Sequence, residues 1–363
     1  MSEVAELTAD LVRIDSVNPA LIPGAAGEAE IAGHVANWLG RAGLEVEVVG
    51  SADGRPSVIG VARGTGGGRS LLLNAHLDTV GTEAMQSPFE ARFEDGRLYG
   101  RGAYDMKGAL AAALLAVVDA RALRLAGDVI VTAVADEELA SIGTEAVLAQ
   151  VDADAAIVCE PTELQVAVAH RGFAGFEVET RGVAAHGSRP DLGVDAIAKM
   201  GHALVALEAL DGELQAGGRH PLLGSGSLHA SLIEGGQELS SYPERCRVTG
   251  ERRTLPGETP AAVEAELRAA VGDAEVRLLV SREPFELDES HELVQTVAAA
   301  AGTTGVVGLP FWTDAALIAA AGIPTLLFGP AGEGAHAAVE WVDVSSLQRC
   351  REVYVAVAAA LCR

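Results

Sequence analysis

The sequence predicts an α/β fold built on a mixed, mostly parallel sheet with helices on both faces, interrupted by an inserted α+β domain. Three observations lead there. Helical and strand patterns alternate up to about residue 172, the pattern changes over 173–284, and the alternation returns over 285–363. With 363 residues, 49% of them hydrophobic, the chain can bury two cores.

The first segment, MSEVAELTADLVRID, places Val4, Leu7, Leu11 and Ile14 on one side of a helix. It has neither the basic start nor the apolar stretch of a secretory signal. A second helix is expected from about Glu28 to Ala42, then strands in LEVEVVG, SVIGVAR and SLLLNAHLD. Between the last two, GTGGG (Gly64–Gly68) lacks the GK[ST] ending of a phosphate loop and is read as a hairpin loop. An apolar helix follows from about Gly108 to Ala122, and then the strands DVIVTAVAD and AAIVCE.

Over 173–284 the order is strand (AGFEVETRG), helix (about Asp191 to Leu210), two strands (SLHASLIEGG, RCRVTGERRT), helix (PGETPAAVEAELRAAV) and strand (AEVRLLVSR). That is the order of a ferredoxin-like α+β domain with its helices on one face. From 285 onward come a helix, the strand IPTLLFGP and a final helix from about Val344. The middle block is therefore a domain inserted into the first.

Charge narrows the function. The net charge is −25, and the only lysines are Lys107 and Lys199, so the basic surface that phosphate binding needs is missing and nucleic acid is not an expected partner. Either solubility or adaptation to high salt accounts for so acidic a composition. No run approaches 18 apolar residues, so no membrane-spanning helix is expected. Cys159, Cys246, Cys350 and Cys362 are scattered without a CxxC pair, as in reduced thiols of a cytoplasmic protein.

Five distant segments end a strand or enter a loop with acidic or imidazole side chains: NAHLDTV (74–80), GRGAYDMKGA (100–109), ADEE (135–138), CEPT (159–162) and GAHAAVE (334–340). Open α/β sheets gather ligands at the carboxyl ends of their strands, so these segments can converge on one cleft. On these segments and their order, the chain resembles the M20 metallopeptidase family along essentially its whole length. It is most similar to the branch of acetylornithine deacetylase and succinyl-diaminopimelate desuccinylase.

The resemblance implies a dinuclear metal catalytic domain (1–172 and 285–363) and a lid and dimerisation domain (173–284). It implies two divalent ions, zinc first, with cobalt or manganese as alternatives. His76, Asp105 and Glu160 would hold one ion, and Asp105, Glu138 and His336 the other, with Asp105 bridging. Imidazole and carboxylate suit a borderline ion that keeps a position open. Glu137 would be the general base that takes a proton from water and passes it to the leaving amine. His76 and Asp78, two apart on a strand, are expected on one face, with the Asp78 carboxylate accepting the second ring N–H. Glu137 and Glu138 are expected to point to opposite sides of a strand, Lys107 to be structural, and Glu340 to lie one helical turn after His336 and to position the site's residues. A cis peptide after Asp105 is also implied.

From the insert, His186, in AHGSRP with Pro190, resembles the family histidine that reaches the partner subunit's site in a homodimer and donates to the oxyanion. Arg253 matches the arginine that grips the substrate carboxylate; the bland alternative is a salt bridge inside the lid. Ser240 stands where the family commonly has Asn, which puts contacts there in doubt. Thr313 and Asp314 stand where the family lines its substrate pocket, while Phe311 and Trp312 fit pocket or core equally. The expected reaction is removal of an acyl group from a small N-acyl amino acid. A dipeptidase or carboxypeptidase is the alternative within the fold, and a non-catalytic binding protein a remote third.

Overall fold

Burial on both faces of the central strands sets the first layer. In a computed structural model, which describes residues 2–50, 54–82 and 85–363, the chain opens with helices α1 (Glu3–Val12) and α2 (Ala29–Arg41). Strands β1 (Glu45–Gly50), β2 (Pro56–Ala62) and β3 (Leu71–His76) follow, then the short β4 (Arg92–Glu94) and β5 (Arg97–Tyr99). Next come α3 (Gly108–Leu123), β6 (Val129–Val134), α4 (Ile142–Leu148), β7 (Ala155–Val158) and β8 (Val166–His170). Every residue of β3, β6 and β7 is buried, as expected of strands covered by helices on both faces. Helix α3 carries Ala and Leu all round and is buried from Gly108 to Val117, so it lies inside the unit instead of on its surface.

The second stretch begins with β9 (Gly172–Arg181) and β10 (Ala185–His186), then α5 (Ala196–Ala216), β11 (Ser227–Gly235), β12 (Ser241–Tyr242) and β13 (Arg245–Thr254). Helix α6 (Pro260–Val271), β14 (Glu275–Arg282) and β15 (Phe285–Glu286) complete it. The chain closes with α7 (Glu292–Ala301), β16 (Val306–Leu309), α8 (Ala315–Ala320), β17 (Thr325–Leu327), β18 (Gly332–Glu333), β19 (Trp341–Asp343) and α9 (Val344–Leu361).

Two compact units result. One comprises Met1–Val168, Leu287–Val307 and Thr313–Arg363; the other comprises Ala169–Glu286 and Gly308–Trp312. In the first, the sheet runs β1-β2-β6-β3-β7-β17-β8. The strands β6, β3, β7 and β17 are mutually parallel, flanked by antiparallel β2 and β8. Because β6 lies between β2 and β3, the GTGGG segment cannot be the hairpin loop expected from sequence. It is a connection, with Gly64 and Gly68 pressed against the backbone of Ala126 and Gly127, where a Cβ would have no room.

In the second unit the antiparallel sheet β11-β13-β9-β14 carries α5 and α6 over Phe176, Val178, Met200, Leu207, Val248 and Leu267. On its other face Glu177 and Glu179 pair with Arg247, Arg277 and Arg181. The expected strand–helix–strand–strand–helix–strand order is the one observed. The 308–312 segment was not expected in this unit. Trp312 explains it: its ring meets Phe173 edge-on at 6.4 Å and its indole N–H donates to the Glu283 carbonyl at 3.1 Å. Phe311 is exposed.

Candidate metal centre

Register in the parallel strands brings three of the five sequence segments to one end of the sheet. His76 closes β3 opposite Val134, the last residue of β6, so the chain leaving β6 into Asp136–Glu138 turns off beside it. Strand β7 ends at Val158 on the other flank of β3, and Glu160 lies two residues beyond. The fourth segment enters from a loop ahead of α3, where the Asp105–Met106 peptide is cis. The fifth sits on the β18–β19 hairpin, which pairs with β5 through Trp341 and Tyr99 and so lays His336 over Asp105. Isolated two- and three-residue strands give no periodic signal, so this small sheet escaped the sequence reading.

Asp105 is the centre of the cluster. One carboxylate oxygen lies 3.1 Å from His76 Nε2 and the other 3.5 Å from His336 Nε2. His336 Nε2 is 3.0 Å from Glu138, and His76 Nε2 is 3.8 Å from Glu160. Donor atoms of His76, Asp105 and Glu138 all lie within 4.8 Å of one another, and so do those of His76, Glu137 and Glu160. The second set places Glu137 within 4.8 Å of His76 and Glu160, although the resemblance made Glu137 a base and not a ligand.

Electrostatics tests whether metal ions fit. Four carboxyl groups and two imidazoles converge, while Arg101 and Lys107, the basic residues flanking Asp105, are engaged with Glu340 and the Ile14 carbonyl. Burial, then the neighbouring carboxylates, pushes the Glu137 and Glu160 carboxyls well above their usual range. Against the cost of burial, hydrogen bonds with His336 and His76 hold Asp105 below its usual range. Hydrogen bonds to Asp105 and Glu138 push His336 up to about 10. Two imidazoles and four carboxyl groups gathered with neither Arg101 nor Lys107 free to pair with them have the donor chemistry of a divalent metal site.

Three local expectations are corrected. Nδ1–H of His76 donates to the Asp78 backbone carbonyl at 2.9 Å, with the Asp78 carboxylate 3.7 Å away. The tautomer is still fixed with Nε2 facing the cluster. The Asp78 carboxylate instead accepts the backbone N–H groups of Glu137 (3.1 Å) and Glu138 (3.2 Å). Those two glutamates stand in a turn, not a strand, because Asp136 takes φ +68° and breaks the extended chain. Glu340 is not on a helix with His336. Its carboxylate accepts from Arg101 (2.6 Å) and from the backbone N–H groups of Gly102 (3.0 Å), Tyr104 (2.9 Å) and Asp105 (3.1 Å), holding the Asp105 loop.

The remaining candidates lie apart in sequence from this cluster. His186 in β10 pairs with Ser241, and its Nδ1 is 2.8 Å from the Ser188 hydroxyl. Ser240 is exposed, and its carbonyl accepts the Gly187 N–H at 2.6 Å. Arg253 donates to Glu251 at 2.6 Å and stands over the Phe173 ring, so the salt bridge inside the insert is present. All three belong to the second unit. Thr313 belongs to the first and is buried, its hydroxyl accepting the Ala315 N–H at 3.2 Å. The sequence reading missed Asn18, Glu28, Arg55 and Asp136, which form a buried polar network behind the Glu137 turn. Asn18 sits in a Ser-Val-Asn-Pro turn that looks ordinary in sequence.

The profile of peptidase family M20/M25/M40 matches residues 72–360, four-fifths of the chain. The chain belongs to that family. As a member of the M20/M25/M40 family, it is a metal-dependent hydrolase of amide bonds. It is 32% identical to acetylornithine deacetylase of Myxococcus xanthus, over 97% of this chain and 96% of that one. It is 31% identical to acetylornithine deacetylase of Pectobacterium atrosepticum, over 88% of this chain and 87% of that one. Among solved structures, the PepT aminopeptidase of Bacillus cereus shares the fold with a TM-score of 0.79 at 21% identity, covering 99% of this chain and 98% of that one. A dinuclear metal-binding M20 peptidase of Bacillus subtilis does so with 0.77 at 17% identity, covering 99% and 97%. Among the described residues, no helix is long and apolar enough to cross a membrane.

Proposed function

We propose that this M20 hydrolase is a two-metal deacylase of small N-acyl amino acids, acting on an acetylornithine-like substrate. The observation that carries the reading is Asp105, which offers one oxygen to the His76 side and the other to the His336 side. His76, Asp105 and Glu160 would hold one ion, and Asp105, Glu138 and His336 the other. Zinc is the first choice, and cobalt or manganese would suit the same donors. Bound there, the ions would polarise the amide carbonyl and make a water molecule acidic near neutral pH. Glu137, within 4.8 Å of His76 and Glu160, takes the proton from that water and delivers it to the leaving nitrogen. Burial, then the neighbouring Glu160, holds the Glu137 carboxyl above its usual range, and bound cations would draw it back down, towards the ionised form a base needs.

His186 donates a hydrogen bond to the developing oxyanion in the partner subunit of a homodimer. Arg253 grips the substrate carboxylate as a planar fork, which requires its Glu251 contact to open or be shared. Ser240 and Thr313 complete the substrate contacts. Full-length similarity to acetylornithine deacetylases supports the acyl amino acid over a peptide. A cytoplasmic location fits the four buried free cysteines.

The test is turnover of N-acetylornithine, N-succinyl-diaminopimelate and a dipeptide panel by metal-loaded protein. N-acetylornithine is expected to be cleaved fastest, and Glu137→Gln to lower kcat at least about a thousandfold with metal content intact. Preference for a dipeptide would replace the deacylase with a peptidase. Full turnover by Glu137→Gln would remove the assigned base.

A further inference from the structure

The Glu137–Glu138 turn is gripped from behind by a buried network whose members Asn18, Glu28, Arg55 and Asp136 have no part in any expected role. Asn18 lies at its centre. Its backbone is tied to the end of β3, with its N–H donating to the Thr79 carbonyl at 2.9 Å, while the Thr79 N–H donates to Ser16 at 3.1 Å. Its side-chain oxygen accepts the Ala20 N–H at 2.9 Å, which fixes the amide orientation and turns the NH2 group inward. That NH2 donates to Asp78 at 2.8 Å and to Asp136 at 3.0 Å. Both carboxylates are fully buried or nearly so. Two carboxylates facing each other without a donor between them would repel, so a single amide stands where only a donor can stand.

Each of the two aspartates holds part of the turn, Asp78 by its carboxylate and Asp136 by its backbone. Asp78 accepts the peptide N–H groups of Glu137 and Glu138. Asp136 begins the turn, and its carbonyl accepts the N–H groups of Ala140 and Ser141 at 3.1 and 2.6 Å. Behind Asp136, the Arg55 guanidinium pairs with it and with the buried Glu28 ahead of α2. The turn carrying Glu137 is thus fixed on one side by Asn18 through Asp78 and on the other by Arg55 through Asp136.

We propose that Asn18 is a positioning residue for the hydrolytic step, with Arg55 backing it, and that the pair acts by setting the direction of Glu137. This rests on the reading of Glu137 as the base. A carboxylate that must meet one proton in one direction loses rate steeply when it is displaced, by up to about a hundredfold for about 1 Å. Substrate binding, which does not depend on that direction, should change little.

The experiment compares metal-loaded, full-length wild type with Asn18→Ala, Asn18→Ser, Arg55→Ala, Arg55→Lys, Glu137→Gln and the double variant Asn18→Ala/Glu137→Gln. It records kcat, KM and bound metal with whichever substrate of the panel turns over fastest. Asn18→Ala is expected to lower kcat by about 10- to 100-fold, with KM within about twofold and metal content unchanged. Asn18→Ser, which keeps a hydroxyl donor, and Arg55→Lys, which keeps the charge, should recover part of the loss relative to their alanine counterparts. In the Glu137→Gln background, Asn18→Ala should cost almost nothing more, because both changes act through one group. The proposal is overturned if Asn18→Ala keeps full kcat, if excess metal restores its loss, or if that loss recurs undiminished in the Glu137→Gln background. If Asn18→Ala does not fold, Asn18→Ser decides by the same criteria, alone and combined with Glu137→Gln. Full turnover by Glu137→Gln alone sinks the base assignment and this proposal with it, whereas failure of the Asn18 criteria leaves the base standing.

Discussion

Single side chains at this centre act mostly through backbone groups. Glu340 is the clearest case: a fully buried carboxylate that accepts three peptide N–H groups and the Arg101 guanidinium. Replacing it by alanine strands a buried cation and three peptide donors, so Glu340→Ala should cost about 3–5 kcal/mol. Urea unfolding measures that loss, and a change below 1 kcal/mol would mean that water replaces the carboxylate. The cysteines make a second residue-scale prediction. All four are buried, and burial pushes the Cys159 thiol up to about 12 and Cys362 up to about 11, with Cys246 and Cys350 also raised. The reactive species is the thiolate, so at pH 8 a thiol reagent should label no cysteine of the native protein and all four after denaturation. Rapid labelling of folded protein would contradict the burial.

At the scale of elements, caps and strand ends do the positioning. Helix α6 starts on Thr259, whose hydroxyl accepts the Ala262 N–H at 3.2 Å, followed by Pro260 in the first turn. Thr259→Ala should destabilise the second unit by about 1 kcal/mol, read as a lowered melting midpoint with kcat unchanged. The alternation of apolar strands and helices was legible because burial writes itself into composition: LLLNA, VIVTAV and AAIV are strands wherever a sheet is covered on both faces. The converging segments could be read because each lies just past such a strand or in a Gly-rich loop. Contacts made by backbone were not legible. His76 bonds to the carbonyl of Asp78 and not to its carboxylate, and no side-chain pattern records that choice. Nor did the sequence announce the left-handed Asp136, which moves Glu137 and Glu138 from a strand into a turn, or the β5–β19 pairing that delivers His336.

For the whole molecule, charge and metal set the conditions. The chain carries a net charge of −25 with 26 basic residues against 51 acidic ones. Unscreened repulsion opposes the folded state, so raising salt from about 0.05 to 0.5 M, which shortens the screening length, should raise the melting midpoint. A falling midpoint would mean that the surface ion pairs outweigh the net repulsion. Removing metal acts in the same direction as removing salt. With the ions held as proposed, it would leave the Asp105, Glu137, Glu138 and Glu160 carboxyl groups crowded around the imidazoles alone, so chelated protein should melt lower and lose activity. Both should return on adding zinc, cobalt or manganese, the ion that restores most identifying the best fit.

The two imidazoles that face Asp105 are unequal neighbours of water. His76 is 1% exposed at the end of a central strand, while His336 is 56% exposed on a short hairpin. An ion held on the His336 side, as proposed, would leave by the movement of one surface loop, whereas one held on the His76 side would have to wait for the sheet end to open. Demetallation should therefore run in two kinetic phases, a fast first equivalent and a slow second, and partly stripped enzyme should persist long enough to be isolated with one ion per chain.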